Sequence, residues 1–582
     1  MRSWLRVTLS TMLLVGATLA AARWLTHLGE ATRNYRTPLR AMPLTRRGAP
    51  PLTEHLVVVV RNALPGYARQ AAWTTLLTGA SPEINDAILL ADRPDAIGAL
   101  TVDDLLSAAR RVGLTTRVVG HAGWERLLGG GDHAVWVTDT ESAEGDAAIV
   151  VEVLRVLKGD SPPNLLWVQL ETGDGLHVEA IADAVDLENA TLAVIEISDD
   201  SASKETESTF ERVILEWLAL LGERNEALAE DLITLRLGGR GIQSTNLGVM
   251  GLSSLAQARD VAPTLAALIG APMPGIAQGD VLYGALDLTP EAGAERRTMA
   301  ASQRAALAGA YIEGIGGEPL PSTVGRDIQV AWESLAVGHP RSADQLARFA
   351  LRDAREAMAA ARTSRLMRER VNRAMLALVL LALPLWALGG EHGARRRAQL
   401  LCALLALIAE RGILGAAGDV STLAGLADGV ALWRLHLWLD ALGRLWLPVA
   451  SSAALATVLL CALDRRSQTK YRLLRETWAG LAGYGLWLCY LLAAPVAVAF
   501  ASHGLAPTWH LPQTGSIAMQ ARSLARVSAV GLSGAILPLM IVIIGSLLRG
   551  SYRLGARITT SIKRRTEHKG HTEASHAHRD HR

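Results

Sequence analysis

No cysteine occurs between residues 50 and 370 of this 582-residue chain. Whatever compartment that stretch occupies, packing, hydrogen bonds and ion pairs hold it, without disulfides. The three cysteines, Cys402, Cys461 and Cys489, all fall inside apolar runs. Net charge is scarce as well. A formal charge of +2 leaves no basic field of the size that nucleic acid demands. Nucleic acid is therefore not an expected partner. No internal repeat is present.

Half of the residues are apolar and a fifth are charged. That mixture is expected from a soluble domain joined to membrane segments. The first long apolar run, WLRVTLSTMLLVGATLAAA, covers residues 4–22 and follows Arg2. A cleaved signal peptide and an uncleaved anchor both fit it. The anchor fits better because further candidate spans lie near 374–389, 398–416, 445–463, 478–500 and 527–548. Basic residues gather at 395–397, 465–475 and 549–565. Six spans with both termini in the cytoplasm put all three clusters inside and residues 23–373 outside. Arg362, Arg365, Arg368, Arg370 and Arg373 depart from this pattern, since they lie just outside the second span. They end a long helix expected to start at Ser342, where Ser342 and Gln345 form a capping box. Residues 417–444 carry Trp433, Leu435 and Trp438 among Arg434, His436 and Asp440, the composition of an interfacial segment.

The outer region alternates strand and helix patterns. Strands are expected at His55–Val60, Thr115–Val119, Ala134–Val137, Asn164–Leu170, Thr191–Ile197 and Asp231–Leu237. A helix over Val102–Val112 is expected between them, capped by Thr101 and Asp104. The alternation predicts an α/β, three-layer, largely parallel sheet, beside an α-helical transmembrane bundle. Ligand sites of such sheets lie at the carboxyl ends of the strands, here the loops after Val60, Leu170 and Ile197.

Several segments recur in the order of a known family: VVVV at 57–60, AAWTTLLTGASPEIND at 71–86, LLWVQLETGDGLH at 165–177, TLAVIEISDD at 191–200 and RDVAPTLAALIGAPMP at 259–274. Together they resemble the alkaline phosphatase superfamily, most nearly its type I phosphodiesterase and nucleotide pyrophosphatase branch. The resemblance covers about residues 55–285. It implies two divalent, zinc-like metals held by carboxylates and histidines, with a Ser or Thr nucleophile. The implied first ligand, an Asp directly after the first strand, is replaced by Arg61. The implied nucleophile position falls at Arg69, or at Tyr67 by the alternative spacing. His177 matches a ligand, with Asp174 off by one. In the implied Asp-His pair, Asp199 is kept and Asp200 stands for the His. The last implied histidine has no counterpart, because none occurs between His177 and His339.

A guanidinium stays protonated and cannot ligate a metal, and Arg cannot form the covalent intermediate. Arg61 and Arg69 are therefore expected to replace the cations and to neutralise Asp174, Asp199 and Asp200 in one pocket with His177. Two readings follow from the resemblance. One is a catalytically inactive binding or scaffolding protein with no cofactor. The other is an active metal-dependent hydrolase or transferase of lipid or glycan phosphoesters or sulfate esters, requiring the two metals.

Other candidates have plainer expectations. Thr74 and Thr75 pack in a helix, although either could be a displaced nucleophile. Gly238-Gly239-Arg240-Gly241 forms a structural turn, Asp132-His133 lies in a loop, and the histidines from His568 to His581 belong to a polar tail. The expected division is an anchor at 1–25, an alkaline-phosphatase-like domain at 50–290, a helical stalk at 291–372, a five-span bundle at 373–550 and a cytoplasmic tail at 551–582. Expected partners are membrane lipid, with an anionic ligand or another envelope protein as candidates. Multi-pass insertion in the plasma membrane is the expected location.

Overall fold

The computed structural model describes residues 2–42, 44, 47–62, 67–81, 84–85, 100–128, 134–138, 143–170, 175–197, 232–243, 252–388, 393–414, 426, 429–463, 470–504, 508, 517 and 520–533. The chain opens with helix α1 (Arg2–Arg33), which runs well past the apolar residues 4–22. Strand β1 (His55–Asn62) then leads to α2 (Tyr67–Thr78) and α3 (Leu105–Arg111). Next come β2 (Thr116–His121), α4 (Gly123–Leu127), β3 (Ala134–Thr138), α5 (Ala143–Leu157), β4 (Leu165–Leu170), α6 (Gly175–Ala184) and β5 (Ala190–Ile197). Strands β6 (Leu232–Gly239) and β7 (Leu252–Gln257) precede α7 (Ala258–Ile269).

These strands form one seven-stranded sheet in the order β3-β2-β4-β1-β5-β6-β7. The first five are mutually parallel. β6 runs antiparallel to both β5 and β7, so the sheet is mixed. The central strand explains the VVVV run. Leu56, Val58 and Val60 enter one core with Trp73, Leu105 and Val261, while Val57 and Val59 enter another with Ile149, Val153 and Ile181. Alternate side chains of β1 thus point to opposite faces and both faces are covered, which favours a continuous apolar strand. Each buried valine contributes roughly 1.5–3 kcal/mol relative to exposure.

Two helix starts differ from expectation. α3 begins at Leu105, not Val102, because the Asp104 side chain accepts from the Ser107 N–H at 3.0 Å and caps the helix there. No capping box starts the long helix at Ser342. That helix begins at Pro340, whose fixed φ suits a first helical position.

A helical region follows the sheet. Thr289 caps α8 (Pro290–Gly314), and α9 (Ser322–Ala336) leads to α10 (Pro340–Leu388), a single helix of 49 residues. The first half of α10 packs on α8 and α9 through small side chains such as Ala301, Ala308, Ala347 and Ala354. Its continuity crosses the expected boundary between stalk and bundle at 372/373. Then come α11 (Gly393–Leu414), α12 (Val430–Leu463), α13 (Lys470–His503) and α14 (520–533).

Helix α1 joins this later group. Leu14, Leu25 and Leu28 share a core with Cys402, Trp433, Tyr484 and Leu524. Among the described residues, one segment, Gly480–Ser502 in α13, is long and apolar enough to cross a membrane. Val430–Leu445 and Leu447–Leu459 in α12 pass the same test only when taken together across a 45° bend. Of the expected five-span bundle, the described residues show a helical assembly with one qualifying span. Residues 534–548 of the last expected span lie outside the described residues.

Candidate functional site

Arg61 is the penultimate residue of β1, and Glu196 occupies the equivalent place in β5. The parallel register puts them side by side as Cα partners. Their side chains meet, with Arg61 Nη1 donating to Glu196 Oε1 at 3.2 Å. From the other side Arg236 of β6 donates its Nη2 to Glu196 Oε2 at 3.4 Å. One carboxylate is thus held between two guanidiniums at the carboxyl edge of the parallel strands. Arg61 and Glu196 retain 28 % and 24 % side-chain exposure, so the cluster is half-buried and reachable from solvent.

The expected pocket is only partly described. Arg69 lies in the first turn of α2, although the placement of its side chain is not described. His177 lies in the first turn of α6, the helix that follows β4, next to β1 in the sheet. Its Nδ1 is buried without a hydrogen-bond partner among the described residues. Asp174, Asp199 and Asp200 lie outside the described residues, as do Asp132, His133 and the histidine-rich tail. The expected pairing of Arg61 with those aspartates therefore falls outside the described residues, among which Arg61 pairs with Glu196.

The glycine turn sits at the wrong edge for ligand binding. Gly239 and Gly241 adopt φ of 102° and 79°, and a Cβ on Gly239 would lie 2.3 Å from the Ala190 carbonyl oxygen. Because β6 is antiparallel, this turn closes on the amino end of β5, opposite the Arg61 edge. Its glycines serve the close backbone approach. Thr74 and Thr75 are buried within α2, as a packing role requires.

Sequence reasoning missed a polar cluster under the same edge. His121 ends β2, and its Nε2 lies 3.4 Å from Asp146 Oδ1 of α5; the two side chains are 1 % and 0 % exposed. Gln169 of β4 accepts from Trp124 Nε1 at 3.2 Å. Trp124 in turn stacks on Trp73 with centroids 5.0 Å apart. The one sequence signal was Gln169 itself, an amide inside the otherwise apolar strand LLWVQL. The His121, Asp146 and Gln169 side chains are all buried.

The two segments that most specifically carry the family resemblance come together in space. Gln278 N and Gly279 N both donate to Gly79 O, at 2.6 and 3.1 Å, and Ser81 N donates to Gln278 Oε1 at 3.0 Å. Gly79 has a φ of 67°, and a Cβ there would press on Arg259 O and Pro263 at 3.0 Å. The TTLLTGAS helix end therefore docks on the start of the DVAPTLAALIG helix.

A separate cavity of about 730 Å³ is lined by Arg40, Asp103, Arg110, Arg111, Val102 and Ile276, among others. It shares no residue with the Arg61 cluster. Asp103 there accepts from Arg111 through its two terminal guanidinium nitrogens, Nη1 and Nη2, and from the Gly275 N–H at 2.7 Å. Among the described residues, the Arg61 edge carries one carboxylate, Glu196, which is paired with two guanidiniums, and the implied ligands Asp174, Asp199 and Asp200 lie outside them. Among the described residues, no group of three or more His, Cys, Asp or Glu side chains is arranged to hold a metal.

Comparison of the chain with protein-family models, with curated proteins and with solved structures finds no match.

Proposed function

We propose that this chain is an integral membrane protein of the cell envelope whose outer α/β domain keeps an alkaline-phosphatase-like scaffold without its hydrolytic chemistry. It serves binding or scaffolding. The observation that carries this reading is the Arg61–Glu196–Arg236 cluster at the carboxyl edge of β1 and β5. A metal ligand set there would need oxygen or imidazole donors, and Arg61 supplies neither. Docking of the Gly79 turn on the 278–279 turn supports the scaffold half of the proposal.

The test is thermal unfolding of the full-length protein in detergent, as wild type and as Arg61→Asp, each with and without zinc. Zinc is expected to leave the wild-type midpoint unchanged, since nothing that binds only the folded state is being added. Arg61→Asp sets a second carboxylate against Glu196. It is expected to lower stability by roughly 1–3 kcal/mol, softened by partial exposure and by the remaining Arg236. A strong zinc-dependent rise for the wild type would restore the active, metal-dependent hydrolase as the better reading.

The proposed topology has six spans, both termini in the cytoplasm and residues 23–373 outside. The shared core of α1 with α13 supports a retained first helix, and the arginines at 395–397, 465–475 and 549–565 support the orientation. In a background lacking the three native cysteines, an impermeant thiol reagent added to intact cells is expected to modify Ser203→Cys and to spare Gly570→Cys. Labelling of position 570 would overturn the topology.

A further inference from the structure

The arginines that end the outer half of α10 are set against a lipid-sized apolar surface. Between residues 362 and 373 stand Arg362, Arg365, Arg368, Arg370 and Arg373, with Glu369 as the single acid. Glu369 takes two of them, accepting from Arg365 Nε at 2.6 Å and from Arg373 Nη2 at 2.7 Å. Arg362 and Arg368 meet no carboxylate among the described residues. The segment spans about three helical turns, so like charges stand on neighbouring turns and repel one another.

Two contacts fix its height. Arg370 Nε donates to the carbonyl of Ser502 at 3.0 Å, and Ser502 is the last residue of the Gly480–Ser502 span. Gly504 closes on Arg373, where a Cβ would stand 2.9 Å from the guanidinium carbon. Just inside that level, Trp24 of α1 stacks on Phe500 with centroids 6.2 Å apart, the depth at which tryptophan favours a membrane interface. Beyond Arg373 the helix turns outward-apolar. Met375, Leu378, Val379, Leu383 and Trp386 are 66 %, 65 %, 57 %, 48 % and 76 % exposed. The arginine row therefore ends where an uncovered apolar surface begins.

Resting on the membrane reading above, we infer that the Arg362–Arg373 row is a binding surface for the phosphodiester headgroups of anionic phospholipids in the outer leaflet. Topology alone disfavours basic residues on that side, so orientation does not account for them. Guanidinium matches phosphate oxygens in a fork, and Arg362 and Arg368, which meet no carboxylate among the described residues, stand beside an apolar surface at the depth where phosphates gather. The bound headgroups relieve the repulsion along the row and hold α10 at a set depth, and through it the outer domain.

The full-length protein is reconstituted into vesicles of phosphatidylcholine with phosphatidylglycerol, and boundary selectivity is read with spin-labelled lipids. Phosphatidylglycerol is expected to be preferred over phosphatidylcholine by about fivefold or more. Arg362→Gln/Arg368→Gln, which spares the Glu369 pairs, is expected to lose most of that preference while still inserting. Equal selectivity in the wild type, or full selectivity in the variant, overturns the inference and leaves the membrane reading intact. Displacement by millimolar inorganic phosphate would reassign the surface to a free anion. A protein that fails to co-float with vesicles would overturn the membrane reading and this inference with it.

Discussion

Asp103→Ala is expected to lower the unfolding free energy by about 3–5 kcal/mol, the usual cost of stranding one partner of a buried ion pair. Asp103 is 5 % exposed and Arg111 16 % exposed. Removing the carboxylate leaves the Arg111 guanidinium and the Gly275 N–H without their acceptor. Burial pushes the Asp103 carboxyl above its ordinary value, with Arg111 and Gly275 opposing that rise. Desolvation therefore rivals attraction, and the pair gives little net stability. The double variant Asp103→Leu/Arg111→Met is accordingly expected to recover most of the loss. The sign with pH is definite. A folded-state pKa raised above the unfolded one means that this group's stabilisation is fully present below the ordinary carboxylate range. It is lost as pH rises through the folded value. Denaturant unfolding of the three proteins at neutral and acid pH measures both effects, and an undiminished double variant loss would refute the desolvation account.

Arg304→Met is expected to cost about 3–5 kcal/mol, since each hydrogen bond from a charged donor is worth roughly 1.5–3 kcal/mol. Arg304 of α8 is 4 % exposed and donates to the carbonyls of Gln278 and Gly279, both at 2.6 Å. Burial pushes its pKa down to about 10, which leaves it cationic at neutral pH. The turn that it grips is the one docked on Gly79. Within that turn Gly279 admits no side chain, because a Cβ would lie 1.8 Å from the Arg259 oxygen. Loss of Arg304 thus orphans two buried carbonyls and loosens the contact between α2 and α7. Arg304→Lys keeps the charge but not the fork and is expected to fall between wild type and Met. Hydrogen exchange should locate the loss at residues 79–81 and 278–279. Unchanged protection there would contradict a latch.

The strands were legible because burial on both faces writes itself into the sequence as short β-branched runs. All six expected strands form, each within two residues of its expected ends. β7 was missed because LSSLAQ has no β-branched or aromatic residue and carries two serines, so it lacks the composition of a strand. The mixed direction of the sheet was equally hidden, since strand polarity depends on how the connection between Ile197 and Leu232 returns. Helix ends depended on competition between adjacent caps. Thr101 and Asp104 both qualify by type, and the Ser107 backbone and hydroxyl, both bonded to Asp104, decide between them.

The site was legible in half. Arg61 stood out because it ends an apolar strand where a carboxylate was implied. Glu196 did not, because it lies inside a strand and the following Ser198-Asp199-Asp200 drew the stronger motif match. Only register across β1 and β5 reveals the pair. His121 and Asp146 are 25 positions apart on a strand and a helix, and no spacing rule links them before the fold is known.

The most direct test of the central claim is elemental analysis of the purified full-length protein after dialysis against trace zinc. A guanidinium in place of a metal ligand predicts no stoichiometric divalent metal. Two tightly bound divalent metals per chain would contradict it and return the Arg61 edge to metal-dependent ester chemistry.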